Sequence, residues 1–238
     1  MTDTSIAERT AGAVSSMGSH FMLDGATYEV GGAAGFDGMD FYAAGRAGVL
    51  GDVRADIVTA AMVFFHPDVV RNAWEASRPV MPRDEASALF ASCLVDWAGV
   101  HLDGNVDWVR LSELAGRITG SASIAAAPMF AGWRALPVPD DPTAAALHQL
   151  NLLRELRMSR HGAAVMAVAL DPGDAVRQAS PMAAIFGWEG EARPESAALL
   201  AEAEVLTNRA TARDYAVLTH GEGEELVALC DAAKAAIH

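Results

Sequence analysis

Lysine is almost missing from this chain. Lys234 is the single lysine among 17 basic residues, and these face 31 acids to leave a formal net charge of −14. A surface of that sign repels phosphate backbones, whose binding depends on neutralisation by Lys and Arg. Nucleic acid is therefore an unlikely partner on charge, and a DNA-binding regulator ranks last among the function classes considered. Cysteine is equally scarce: Cys93 and Cys230 are the only two, and no motif spacing relates them. That excludes a disulfide scaffold and a cysteine-built zinc site, and it predicts two reduced thiols. Long apolar runs are absent as well. No stretch approaches the ~20 residues of a membrane span. The opening MTDTSIAERTAGAVSS lacks the basic start and apolar middle of a secretory signal. The expectation is a cytoplasmic protein with no membrane attachment.

Several catalytic signatures are missing too. There is no GxSxG elbow for a nucleophilic serine, and the glycines follow neither a phosphate-loop nor a dinucleotide-binding spacing. His20, His66, His101, His148 and His220 are scattered, without an HxxxH or ExxH pair on one helix face. No metal and no cofactor is implied.

What the chain has in abundance is alanine, within a 52% hydrophobic composition, and helix punctuation. Asp52 is placed to cap a helix carrying Ile57, Ala60, Ala61 and Phe64, and Pro67 fits the first turn of the next. Pro82 with Asp84 and Glu85 starts a helix whose stripe is Ala86, Leu89, Phe90, Cys93, Leu94 and Trp97. Asp103-Gly104-Asn105 is a turn, followed by Trp108, Leu111, Leu114 and Ala115 at helical spacing. Asp141-Pro142, Asp171-Pro172 and Pro194-Glu195 are further starts, and Thr219 with Glu222 fits a capping box. The density of glycine from Met17 to Gly51 favours loops or a lid, with Ala26 to Val30 the one candidate strand.

These signals predict an all-α, multi-helix bundle of about nine helices with a glycine-rich N-terminal segment. The rigid Leu136–Pro142 connector suggests two sub-bundles. The boundaries expected are residues 1–40 for a tail and glycine-rich loop, 41–136 for the first sub-bundle and 137–238 for the second, although one domain accommodates the same signals. The apolar stripe of the last helix, Leu218 to Ile237, is a surface for a homodimer or an internal core face.

The segment Leu152 to Gly162 carries the most chemistry. Arg154, Arg157 and His161 follow i, i+3, i+7 spacing and share one helix face, with Glu155 and Ser159 on the adjacent strip. Two guanidiniums and an imidazole suit a carboxylate or phosphate, and His161 is the candidate catalytic base. The same residues equally suit ion pairs that bind helices together. Tyr42 and Arg46, one helical turn apart, are a second candidate pocket wall or a helix–loop junction. His66 is added as a ligand-binding candidate, against the bland alternative of a packed histidine. Met62, Phe64, Phe65, Trp74, Phe90, Trp97, Met129, Phe130 and Trp133 read first as core and second as the lining of an apolar cavity.

Three segments resemble a family of actinobacterial helix-turn-helix-like proteins. They are FYAAGRAGVLGDVRADIVTAAMVFFHPDVV, then MFAGWRALPVPDDP leading into LLRELRMSRHGAAVMAVAL, then AEAEVLTNRATARDYAVLTHGEGEEL. With the intervening chain they cover most of residues 41–232. The family pattern in the second segment is LREHRGDGH. Arg154, Glu155, Arg157 and His161 match it, whereas Leu156, Met158, Ser159 and Arg160 stand where the pattern has His, Gly, Asp and Gly. Longer members carry a winged segment before the final helices, and this chain passes from Phe186-Gly-Trp188 through Pro194 to Glu202 without one. The resemblance implies a bacterial, regulator-like helical scaffold from which a DNA-reading wing is missing.

Two readings of function follow. The first is a small-molecule-binding protein whose ligand is anionic, or apolar with an anionic group. The second is a cofactor-independent enzyme of specialised metabolism, with His161 as acid–base and Arg154, Arg157, Tyr42 and Arg46 around a bound anion; Glu155 is a further ligand-binding candidate.

Overall fold

A computed structural model of the chain describes residues 3–238, with side chains from residue 6 onward. It is all-helical. The N-terminal third comprises α1 (Asp3–Met17), α2 (His20–Leu23), α3 (Gly25–Ala33), α4 (Gly38–Ala47), a 3-10 turn (Gly48–Leu50), α5 (Ala55–Ala61) and α6 (Pro67–Ala76). Then come α7 (Arg83–His101), α8 (Trp108–Ser121), α9 (Pro128–Arg134) and α10 (Pro142–Ala167). The chain closes with α11 (Pro172–Ala179), α12 (Ser196–Tyr215) and α13 (His220–Ala235). The count exceeds nine because the glycine-rich region is helical rather than looped. A lone backbone bridge joins Leu102 to Ile237.

Helix starts follow the expected chemistry. The Asp141 and Asp171 carboxylates accept from Ala144 N and Asp174 N at 2.9 and 3.1 Å, each with proline in the first turn. Thr219 and Glu222 form the reciprocal capping box of α13. Asp52 does not cap α5, which starts three residues later at Ala55, and its carboxylate pairs with Arg78 instead.

The segment Ala26 to Val30 lies inside α3 and is not a strand. Its glycines, and those of α4, allow helices to approach closely rather than keeping the chain flexible. A Cβ on Gly31 would collide with the Phe41 ring, and one on Gly45 would lie 2.5 Å from Phe90 Cβ. The missing side chains leave space that the aromatic rings fill.

Helix α10 is the axis. Its first half, from Ala144 to Leu153, is buried on all sides, with His148, Gln149 and Asn151 enclosed among alanines and leucines. It packs against α8 and α12, with α1, α7 and α9 completing the shell. The N-terminal helix α1 is part of this body, burying Val14 and Met17 and lying on α12 and α13. One cluster of buried side chains runs from Ile6 to Ala233 and takes residues from both sides of the Leu136–Pro142 connector. Trp74, Trp133, Phe21, Phe41, Phe90 and Phe130 are its largest fully enclosed members, each contributing about 2–3 kcal/mol of transfer free energy. A smaller cluster of Val165, Leu170, Ala175 and Ala203 joins the end of α10 to α11 and α12.

The apolar face of α13 is used internally. Leu226, Val227, Cys230 and Ala233 are buried, and the helix packs on α1 and α8. Both cysteines are buried and unpaired, and burial pushes the Cys230 thiol up to about 12. Among the described residues no helix is long and apolar enough to cross a membrane, and no group of His, Cys, Asp and Glu is placed to hold a metal ion.

Candidate functional site

Two cavities lie side by side along the second half of α10. The first, of about 490 Å³, is enclosed by α2, α4, the end of α5, the start of α9, α10 and the turns around Met182 to Phe186. Its walls are mainly apolar and rich in methionine, with Met22, Met39, Met62, Met129, Met158, Met166 and Met182 all contributing. Thioether side chains are unbranched and polarisable, so such a wall adapts to an occupant's shape. Phe64, Phe65 and Phe186 add aromatic surface. Met62, Phe64, Phe65 and Met129 thus line a cavity, while Trp74, Phe90, Phe130 and Trp133 are core.

Tyr42, Arg46, Arg154 and Glu155 form the principal charged and hydrogen-bonding wall of this cavity. Arg46 donates through Nε to Glu155 Oε1 at 3.0 Å and through a terminal nitrogen to Oε2 at 2.9 Å. Its other terminal nitrogen donates to the Tyr42 hydroxyl at 2.9 Å. Arg154 donates to Glu155 Oε1 at 2.8 Å. Burial alone would raise the Glu155 carboxyl, but the two guanidiniums overcome it and hold it below the usual carboxylate range. Burial likewise opposes the charge on Arg46, and Glu155 and Tyr42 outweigh it.

The charges do not balance. Two guanidiniums face one carboxylate, leaving one positive charge in an apolar enclosure. Arg154 is the under-satisfied member: its side chain is 14% exposed, and its Nε is buried without a hydrogen-bond partner among the described residues. An unpaired buried donor costs about 1–3 kcal/mol, more when charged.

The second cavity, of about 350 Å³, lies between α10, α11 and α12. It shares Phe64, Arg154, Met158 and Phe186 with the first, so those side chains form the partition. Arg157 and His161 line it with Glu204 of α12. Arg157 donates to Glu204 Oε2 at 2.8 Å and to Asn208 at 2.9 Å. His161 Nδ1 is 3.0 Å from Thr207 Oγ1 and 3.5 Å from Glu204 Oε1, and its ring stacks on Phe64 at 5.3 Å. Burial lowers the imidazole's proton affinity, Glu204 opposes that and Arg157 adds to it, for a net decrease.

The candidate residues are therefore distributed over two chambers. Arg154, Arg157 and His161 share the second, as their spacing requires, while Tyr42, Arg46 and Glu155 are in the first. Arg154 alone among them reaches both. His66 lines neither. It is the N-cap of α6, accepting from Asp68 N at 3.2 Å with its ring edge-on to Trp188 at 4.8 Å. Arg160 is used structurally, donating to the Ser123 and Ala125 carbonyls at 2.8 Å. Sequence reasoning missed Glu204 and Thr207, which lie more than 40 positions from His161 and carry no local signal. It also missed the methionine lining, whose only trace is 10 methionines in 238 residues.

No curated protein and no solved structure matches the chain. A family model described as a helix-turn-helix family matches residues 7–187. That span begins earlier than the sequence resemblance suggested and stops before α12, so it takes in the whole of the first chamber but not Glu204 or Thr207. Since it covers most of the chain, the protein belongs to this helix-turn-helix family.

Proposed function

We propose that this protein binds a small molecule with an apolar body and an anionic head, the body in the methionine-lined chamber and the head on Arg154. The observation that carries the reading is that two guanidiniums share one carboxylate, with Arg154 Nε unpartnered among the described residues, on the wall of a cavity of about 490 Å³ that is otherwise mostly apolar. Pockets of this size with few, well-placed polar groups are typical small-molecule sites. Glu155 holds Arg154 in place and is itself held by Arg46, and Tyr42 completes the polar wall.

Two fluorescent probes test this. 8-Anilinonaphthalene-1-sulfonate is aromatic and anionic, whereas N-phenyl-1-naphthylamine has the same rings without the sulfonate. Arg154→Met is expected to weaken the sulfonate about 10–100-fold, equivalent to about 1.4–2.7 kcal/mol, and to leave the neutral probe unchanged. Met158→Trp, which fills the partition, should weaken both. Equal loss of the two probes in Arg154→Met would sink the anionic-head reading, and indifference of both to Met158→Trp would sink the chamber itself.

Family membership supports a second reading, contact with duplex DNA. Helices α5 and α6 are consecutive and packed together, yet the exposed face of α6 carries Asp68, Arg71, Asn72 and Glu75. Arg71 pairs there with Asp68 at 2.9 Å and Asp56 at 3.5 Å. That face and the net charge of −14 favour the small-molecule reading. A duplex titration at 50 and 200 mM salt decides. A steep loss of affinity with salt would place phosphate contacts on this chain and reverse the ranking.

A further inference from the structure

The second chamber holds a histidine whose tautomer its surroundings dictate. Thr207 Oγ1 lies 2.7 Å from the Ala203 carbonyl, which can only accept, so the hydroxyl proton is committed there. Toward His161 the hydroxyl can therefore only accept, and the proton on the neutral ring is fixed at Nδ1, 3.0 Å away. The bare lone pair is then on Nε2. The Glu204 carboxylate stands 3.5 Å from the same Nδ1, placed to offset the charge of an imidazolium. Stacking on Phe64 fixes the ring plane. A base, an orienting acceptor and a compensating carboxylate around one imidazole make a proton-transfer arrangement rather than a plain ion pair.

We propose that His161 Nε2 is a general base acting on a carbon acid, a 2-oxo carboxylic acid with an apolar side chain, at the junction of the two chambers. This rests on the ligand reading above: Arg154, which faces both chambers, holds the carboxylate, and the adaptable Met158 and Phe186 partition admits the rest. The ligand class suits both the base and Arg154: an imidazole removes a proton from carbon where an adjacent electron-withdrawing group, here a carbonyl, takes up the electron pair. In the step, the C–H bond next to the carbonyl breaks, its proton forms N–H on Nε2, and the electron pair passes to the carbonyl oxygen as an enolate. The Arg157 guanidinium, held by Glu204 and Asn208, lines the same chamber and is assigned to that oxygen. Return of the proton to carbon or oxygen restores the neutral imidazole, giving keto–enol tautomerisation without oxidant or reductant. Burial lowers the proton affinity of the ring. Thr207 and Glu204 are positioning residues.

Phenylpyruvate is the probe. Exchange of its C3 protons in deuterated buffer is followed by proton NMR, and its binding is measured separately by calorimetry. The wild-type chain should accelerate exchange above buffer. His161→Asn keeps a donor near Thr207 but removes the base, and should lower the acceleration about 100-fold while changing the phenylpyruvate Kd less than about threefold. Thr207→Val should lower the rate with the Kd held, and the rate should persist below the ordinary histidine midpoint of about 6.5. Arg154-dependent binding without accelerated exchange, or undiminished exchange in His161→Asn, overturns the proposal and leaves the ligand reading intact. Absence of any Arg154-dependent binding overturns both.

Discussion

The Arg46 guanidinium meets both carboxylate oxygens of Glu155, at 3.0 and 2.9 Å, and so ties α4 to α10 at the polar wall of the first chamber. The Glu155 side chain is 1% exposed, so neither charge can be left to water if its partner goes.

Breaking that pair from one side should therefore be severe. Glu155→Gln leaves two guanidiniums facing no carboxylate, and a loss of about 3–5 kcal/mol is expected. Replacing both partners with apolar groups, Arg46→Met with Glu155→Leu, should recover only part of that loss, since Arg154 is left without its carboxylate. Urea midpoints of the single and double variants measure it. A single variant as stable as the wild type would show that the pair is not buried in solution.

The glycines separate into two kinds that substitution distinguishes. A Cβ on Gly45 would lie 2.5 Å from Phe90, so Gly45→Ala must push the ring or the helix and should cost about 1–3 kcal/mol. Gly12 lies in α1 with open space around its Cβ position, so Gly12→Ala should stabilise by about 0.5–1 kcal/mol through helix propensity. Thermal midpoints moving in the same direction for both would contradict the close helix approach.

This contrast also shows why part of the fold was legible and part was not. Caps and prolines act on their own neighbours, so Asp141, Asp171 and Thr219 announce their helices within four residues. Gly31 and Gly45 do not: a glycine is read as a turn until the ring that fills its space is known, and Phe90 lies 45 positions from Gly45. The candidate site divides the same way. The i, i+3, i+7 spacing placed Arg154, Arg157 and His161 together, because one helix fixes it. That Arg46 would meet Glu155, or that Thr207 would set the His161 tautomer, depends on helix packing. His66 reads in the sequence as ligand candidate or packed histidine, and its place as the cap of α6, accepting from the Asp68 N–H, shows only once the helix is built.

Acid stability provides a test that does not involve the chambers. His148 is 2% exposed in the middle of α10, its Nε2 has no partner among the described residues, and burial pulls its pKa down to about 4. Above about pH 6.5 the ring is neutral in both folded and unfolded chains and adds no pH dependence. As pH falls from 6.5 toward 4, the unfolded chain binds a proton that the folded chain refuses. Stability is therefore lost on acidification, by about 1.4 kcal/mol per pH unit and about 3 kcal/mol in total. The carboxylates held by arginines, Glu155 and Asp174 among them, have lowered pKa values and lose stability in the same direction, so the wild-type curve alone does not isolate the histidine. The difference between wild type and His148→Leu does. From pH 7.5 to 5.0 the wild type should lose about 2 kcal/mol more than the variant, read from urea midpoints at each pH. Equal losses in the two proteins would mean that His148 is hydrated or partnered when folded.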